Sequence, residues 1–147
     1  MKAAIRWTLV VAAVVGLAID AYTHLHLAGL YDPIRTPTIS QGTLFRIEGA
    51  LAIVAAVGLV VRANRWTALL AVAVAGGGLA ALLIYRYVNV GTIGPLPNMY
   101  EPIWYHDKQL SAAGELLAMV AGLALVALTW PRRVTRAVRP RAVTLDA

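Results

Sequence analysis

Four stretches of about 20 apolar residues constrain this chain more than anything else in it. At 1.5 Å per residue each is long enough to cross a hydrocarbon layer about 30 Å thick. They run over about Trp7–Leu27 (WTLVVAAVVGLAIDAYTHLHL), Thr43–Val61 (TLFRIEGALAIVAAVGLVV), Trp66–Val88 (WTALLAVAVAGGGLAALLIYRYV) and Gln109–Trp130 (QLSAAGELLAMVAGLALVALTW). Lipid offers no partner to a bare peptide group, so such runs must fold as helices. An all-α, four-helix transmembrane bundle is therefore expected over residues 1–131, followed by a basic tail over 132–147. The second and third runs are joined only by Arg62–Arg65 (RANR), a tight hairpin. The other two links are longer and rich in Pro, Gly and Tyr. Charged residues make up 14% of the 147, against about 25% in soluble domains. Such a chain cannot cover its surface with charge. It has no cysteine, which excludes disulfides, thiolate metal sites and dithiol redox chemistry.

Lysine and arginine bias sets the expected orientation. With the N-terminus inside, nine basic residues fall on the inner side (Lys2, Arg6, Arg62, Arg65, Arg132, Arg133, Arg136, Arg139 and Arg141) and four outside (Arg35, Arg46, Arg86 and Lys108). Trp7, Trp66 and Trp130 then lie at inner ends, as interfacial anchors do. Both termini are expected in the cytoplasm, the chain spanning the plasma membrane. Lys2 and Arg6 before an apolar stretch also have the form of a signal peptide. No small-x-small cleavage site follows, and Asp20 stands where one is needed, so the first run reads as a retained helix. The basic flanks suit anionic lipid rather than nucleic acid. Ala/Val/Arg-rich usage suggests a bacterium of high genomic GC content.

Three acids interrupt the apolar runs. Measured from the inner anchors, Asp20 lies about 20 Å deep, Glu48 about 21 Å and Glu115 about 22 Å. One carboxylate from each of three helices thus sits at one level, in the outer half of the membrane. Each lies on a stripe of small residues: Ala13, Gly16 and Thr23 with Asp20, Ala52 and Ala55 with Glu48, Ser111, Ala118 and Gly122 with Glu115. Side chains spaced by three, four or seven share a helix face, and small residues mark the faces where membrane helices touch. Gly76, Gly77 and Gly78 allow close approach on the third helix. The acids should therefore converge inside the bundle. They cannot all stay ionised there without protons, a metal or basic partners. Candidates are His24, Arg86, Arg46, His106 and a metal ion. Arg86 is the favoured arginine, since it can fold back along its helix. Arg46, about 200° around the helix from Glu48, is expected to snorkel to the surface.

Three uses fit this cluster. The first is a structural network of Asp20, His24, Glu48, Arg86 and Glu115 fixing helix order, in a non-enzymatic accessory or binding protein. The second is a transition-metal site drawn from Asp20, His24, Glu48, His106 and Glu115. Asp20 and His24 at i,i+4 present two ligands on one face, and mixed oxygen and nitrogen donors suit zinc, iron, manganese or copper better than calcium. The third is a redox pocket in a small oxidoreductase subunit. There a quinone would lie among Tyr22, Tyr85, Tyr87, Tyr100, Trp104 and Tyr105, or a haem would take two of His24, His26 and His106. A transporter component ranks behind these, because the inner half is uniformly apolar. No catalytic residue is assigned. Asn89–Gln109, stiffened by Pro95, Pro97 and Pro102, is expected to cap the cluster with Tyr100, Glu101, Trp104, Tyr105 and His106, with GLYDPIRTPTISQG as the other half of the lid. Homo-oligomers or a larger membrane complex are possible settings.

Over residues 45–75, RIEGALAIVAAVGLVVRANRWTALLAV resembles the DoxX-like membrane proteins. The resemblance is carried by Glu48, Gly49, Gly58, Arg62 and Arg65. It implies a four-helix bundle and association with redox or stress complexes of the membrane. Asp20 and His24 depart from it, since a lysine-containing segment is expected there.

Overall fold

The computed structural model describes residues 2–130; the basic tail expected over 132–147 lies outside the described residues. It is all-helical. Helices α1 (Lys2–Leu27), α2 (Gln41–Val61), α3 (Arg65–Tyr87) and α4 (His106–Thr129) follow in order, and each is long and apolar enough to cross a membrane. Among the described residues, extended structure is limited to two isolated bridges, Arg35 with Ser40 and Ile93 with Leu96. The helices form a ring in which α1 packs on α2 and α4, and α3 on α2 and α4. The diagonal pair α1 and α3 barely meets, and the α2–α3 side is the most open.

Polar residues stop the helices where apolar sequence ends. Ser40 caps α2 by accepting from the Thr43 amide at 3.0 Å. Asn64 caps α3 and forms a reciprocal box with Thr67, which satisfies free amides of the first turn. Only Arg62, Ala63 and Asn64 separate α2 from α3, and the Arg6 guanidinium donates to the Ala63 carbonyl. This is the hairpin end of the bundle, where Trp7, Trp66 and Trp130 are exposed. The opposite, loop end carries residues 28–40 and 88–105. There Gly94 takes φ +55, which glycine adopts without a side-chain penalty. It lets Ile93 and Leu96 exchange two backbone hydrogen bonds across the Gly94–Pro95 turn.

Lipid tails are as apolar as leucine, so helices in a membrane associate through close packing rather than hydrophobic burial. The core accordingly alternates small residues (Ala13, Ala52, Ala55, Ala71, Ala75 and Ala118) with a few fully buried leucines, Leu17, Leu59 and Leu125. Large side chains such as Val11, Ile53, Val57 and Val120 point outward. The tightest approach joins α1 to α4. A methyl group added at Gly16 would lie 2.5 Å from the Gly114 carbonyl oxygen, and one at Gly114 would lie 2.9 Å from that of Gly16. Gly122 plays the same part against α3, where a methyl would lie 2.8 Å from Val72.

Candidate functional site

The Gly16–Gly114 contact positions the acids. Asp20 is one turn beyond Gly16 on α1, and Glu115 follows Gly114 on α4. With the two backbones touching there, both carboxylates are driven between the helices. Both side chains are completely buried. His24, one turn further along α1, places its Nδ1 2.7 Å from Asp20 Oδ1 and 3.1 Å from the Asp20 carbonyl oxygen. The shorter approach gives Asp20 Oδ1 an ion-pair contact, and Oδ2 is left without a donor among the described residues. One donor atom each from Asp20, His24 and Glu115 lies within 4.8 Å of the others.

Glu48 of α2 comes to the same place through α3. A methyl group at Gly78 would fall 2.6 Å from Glu115 Oε1 and 3.0 Å from Glu48 Oε1. The two carboxylates therefore flank a single methyl-sized space that only glycine leaves open. Ser111 offers Glu115 Oε1 a long contact of 3.5 Å. Glu115 Oε2 and Glu48 Oε1 are buried with no hydrogen-bond partner among the described residues. Unsatisfied buried carboxylate oxygens are costly, and a proton, a water or a cation relieves that cost. Two carboxylates and an imidazole suit zinc, iron or manganese. Ligand atoms around a tetrahedral ion, at bonds of about 2.0–2.2 Å, stand about 3.4 Å apart. The 4.8 Å set of Asp20, His24 and Glu115 would have to contract by about an ångström or more to hold one.

The basic residues expected to neutralise the acids are elsewhere. Arg86 lays its guanidinium over Tyr87 and Trp104, 5.0 and 5.4 Å from the ring centroids, and forms no ion pair among the described residues. Side-on aromatic faces attract it, and its position one residue from the end of α3 puts Trp104 within easier reach than the cluster. Arg46 makes a bidentate pair with Asp32, at 2.8 and 2.7 Å. That pair and a hydrogen bond from Ser40 hold the Asp32 carboxyl below its usual range. His106, expected as a metal ligand, is 86% exposed beside Asp107. It begins α4 two turns before Glu115 and faces away. The three histidines do not gather for a haem: His26 is exposed and stacks on Tyr22 at 5.5 Å, because His24 and His26 point to different sides of α1.

Above the cluster, the two long segments are joined. The Tyr31 hydroxyl lies 3.0 and 2.9 Å from the Glu101 carboxylate oxygens and 2.8 Å from the Tyr105 hydroxyl. Lys108, buried at the start of α4, pairs with Glu101 Oε2 at 3.0 Å and donates to the Glu101 carbonyl at 2.8 Å. Thr36 donates to the Pro95 carbonyl at 2.7 Å, and the Glu101 amide to the Tyr85 carbonyl at 3.0 Å. Burial, reinforced by Tyr105 and Glu101, pushes the Tyr31 phenol well above its ordinary range, so it is a hydrogen-bond donor at every physiological pH. Phe45 links this joint to the cluster. Its ring centroid is 5.0 Å from Tyr31 on one side and 5.0 Å, edge to face, from His24 on the other.

Of the residues expected in the cap, Glu101 and Tyr105 line a cavity of about 640 Å³ that reaches down to His24 and Glu48. Tyr100 and His106 are exposed, and Trp104 sits under Arg86. Sequence reasoning passed over Tyr31, Phe45 and Lys108. Lys108 carried a usable signal, since 108, 111 and 115 fall on one face of α4 at spacings of three and seven. Compared with known protein families, curated proteins and solved structures, the chain matches none.

Proposed function

We propose that this is a multi-pass membrane protein whose function is to bind a divalent transition-metal ion at Asp20, His24 and Glu115, with Glu48 beside them. The observation that carries this is the set of three donor atoms within 4.8 Å in which Asp20 and Glu115 are wholly buried and carry oxygens without partners. Oxygens of this kind favour an ion over a network closed by protein groups alone, in which buried polar atoms are paired. The apolar core towards the hairpin end, with Val10, Leu17, Leu59 and Leu125, gives an ion no polar route onward and favours binding over transport. Basic residues at the hairpin end orient both chain termini to the cytoplasmic face of a bacterial plasma membrane, so the cluster lies in the outer leaflet. The resemblance of residues 45–75 to DoxX-like proteins supports association with a larger membrane complex; a homo-oligomer is the other setting for an accessory protein.

Full-length protein in mild detergent, stripped with chelator and titrated with zinc or manganese, tests this. One equivalent should bind. At a hundredfold excess over Kd the ion should stabilise the fold by about 2.7 kcal/mol, seen as a higher Tm. Asp20→Asn and Glu115→Gln should fold yet lose both effects. Absence of saturable binding in the wild type, or unchanged binding in both variants, overturns the proposal.

A further inference from the structure

The cavity above the cluster differs from the metal site in chemistry. About 640 Å³ is the size of a site for a small organic molecule. Its walls are mostly apolar, with Leu27, Leu44, Ile47, Ala81, Ile84 and Met99 among them. Ile47 of α2 and Ile84 of α3 are 47% and 48% exposed. They border the open α2–α3 side, where Gly77, Ala80 and Ala81 leave α3 without bulk. In a membrane these positions face acyl chains, so an occupant enters sideways and must be lipid-soluble.

Charge selects its head group. Glu48 and Glu101 both line the cavity, but Glu101 is matched by Lys108 at 3.0 Å. His24 turns its Nδ1 to Asp20, Arg46 is held by Asp32 and Arg86 lies on Tyr87 and Trp104. Glu48 is left without a basic partner among the described residues, its Oε1 buried and unpaired. A divalent ion at Asp20 and Glu115 would balance those two carboxylates and leave the Glu48 carboxyl as the acidic group of the cavity with no cation beside it among the described residues. An anionic head would meet that carboxyl with no cation to balance it, whereas a cationic head would pair with its ionised form. We infer that the cavity binds a lipophilic monovalent organic cation, an apolar body with an amine or quaternary ammonium head, which sets its charge against Glu48. Its test is separable from that of the metal proposal, since Asp20 and Glu115 do not line the cavity.

Tetraphenylphosphonium and tetraphenylborate, alike in shape and opposite in charge, are suitable probes. Equilibrium dialysis of each against full-length protein in mild detergent should give saturable binding of the cation alone. Glu48→Gln should weaken it about tenfold or more. Ala81→Phe, which fills the cavity and leaves every charge in place, should abolish it, while Asp20→Asn should retain it even where metal binding is lost. Equal binding of both ions would make the cavity a general lipid site and overturn the inference. So would undiminished cation binding in folded Glu48→Gln, or loss in Asp20→Asn with retention in Glu48→Gln.

Discussion

The hydroxyl of Tyr31 reaches the carboxylate of Glu101 across 70 positions of sequence, at 3.0 and 2.9 Å. One residue follows α1 and the other precedes α4, so this contact ties together segments that no regular structure connects. Lys108 completes it by holding the same carboxylate from the α4 side. The joint orders the roof over the cavity.

Removing the Tyr31 hydroxyl should therefore loosen the roof and leave the helices alone. Tyr31→Phe keeps the ring against Phe45 and takes away a hydrogen bond to a charged group, a loss of about 1.5–3 kcal/mol. Hydrogen exchange should accelerate at the Glu101 amide, which is bonded to Tyr85, and stay unchanged in the middle of α2 and α3. Uniform acceleration through the helices would contradict a local role.

Acid should release the other loop. The Arg46 guanidinium holds Asp32 below its ordinary value of 3.8. A depressed carboxyl stabilises the fold fully above its unfolded value, and the contribution disappears as pH falls through the lower, folded value. The 28–40 segment should be constant from neutral pH down to about 4 and become more exchange-labile below it. Asp32→Asn should show the labile behaviour already at neutral pH, with no further acid step from this pair.

Gly78→Ala separates stability from binding. Alanine favours a helix over glycine by about 1 kcal/mol, so the helix itself gains. The new methyl, however, occupies the space between the Glu115 and Glu48 oxygens and pushes the Glu115 carboxylate off its place. Zinc affinity should fall at least tenfold while Tm changes by only a few degrees. Unaltered affinity would mean that Glu115 does not bind the ion from the position it occupies here.

Gly16→Ala should do the reverse and act on both quantities. Its methyl meets main-chain atoms of Gly114 and Ala118 rather than a movable side chain. Overpacking of this kind costs about 1–3 kcal/mol. It also parts α1 from α4 where Asp20 faces Glu115, so Tm and metal affinity should drop together.

Arg86→Gln is expected to be mild. Its guanidinium interacts with aromatic faces, an interaction worth about 0.5–1 kcal/mol at a partly exposed site. Metal affinity should change less than twofold. A large loss would return Arg86 to the acidic cluster and contradict its placement on Trp104.

The spans were legible because lipid permits so few solutions. Twenty apolar residues can only be helical, and their observed limits differ from the expected ones by a few residues at polar ends such as Gln41 and His106. That Asp20 and Glu115 share a buried layer was legible from their depth and their small neighbours Gly16 and Ala118. The choice of cation was not. Nothing local distinguishes Arg86 turning inward from Arg86 lying on Trp104, because the outcome depends on where an irregular segment 18 residues away comes to rest. The same holds for Tyr31 and Lys108, whose partner Glu101 sits in that segment. Periodicity speaks for helices and is silent about proline-rich chain.

The brief turn at Arg62, Ala63 and Asn64 fixes how α2 and α3 can move. The pair is bound by a three-residue tether at one end and borders the chamber towards the other, so relative movement is most constrained at the tether and least beside Glu48. Any widening of the chamber would fall beside Glu48 and least disturb the hairpin end, where Trp7 and Trp66 are exposed.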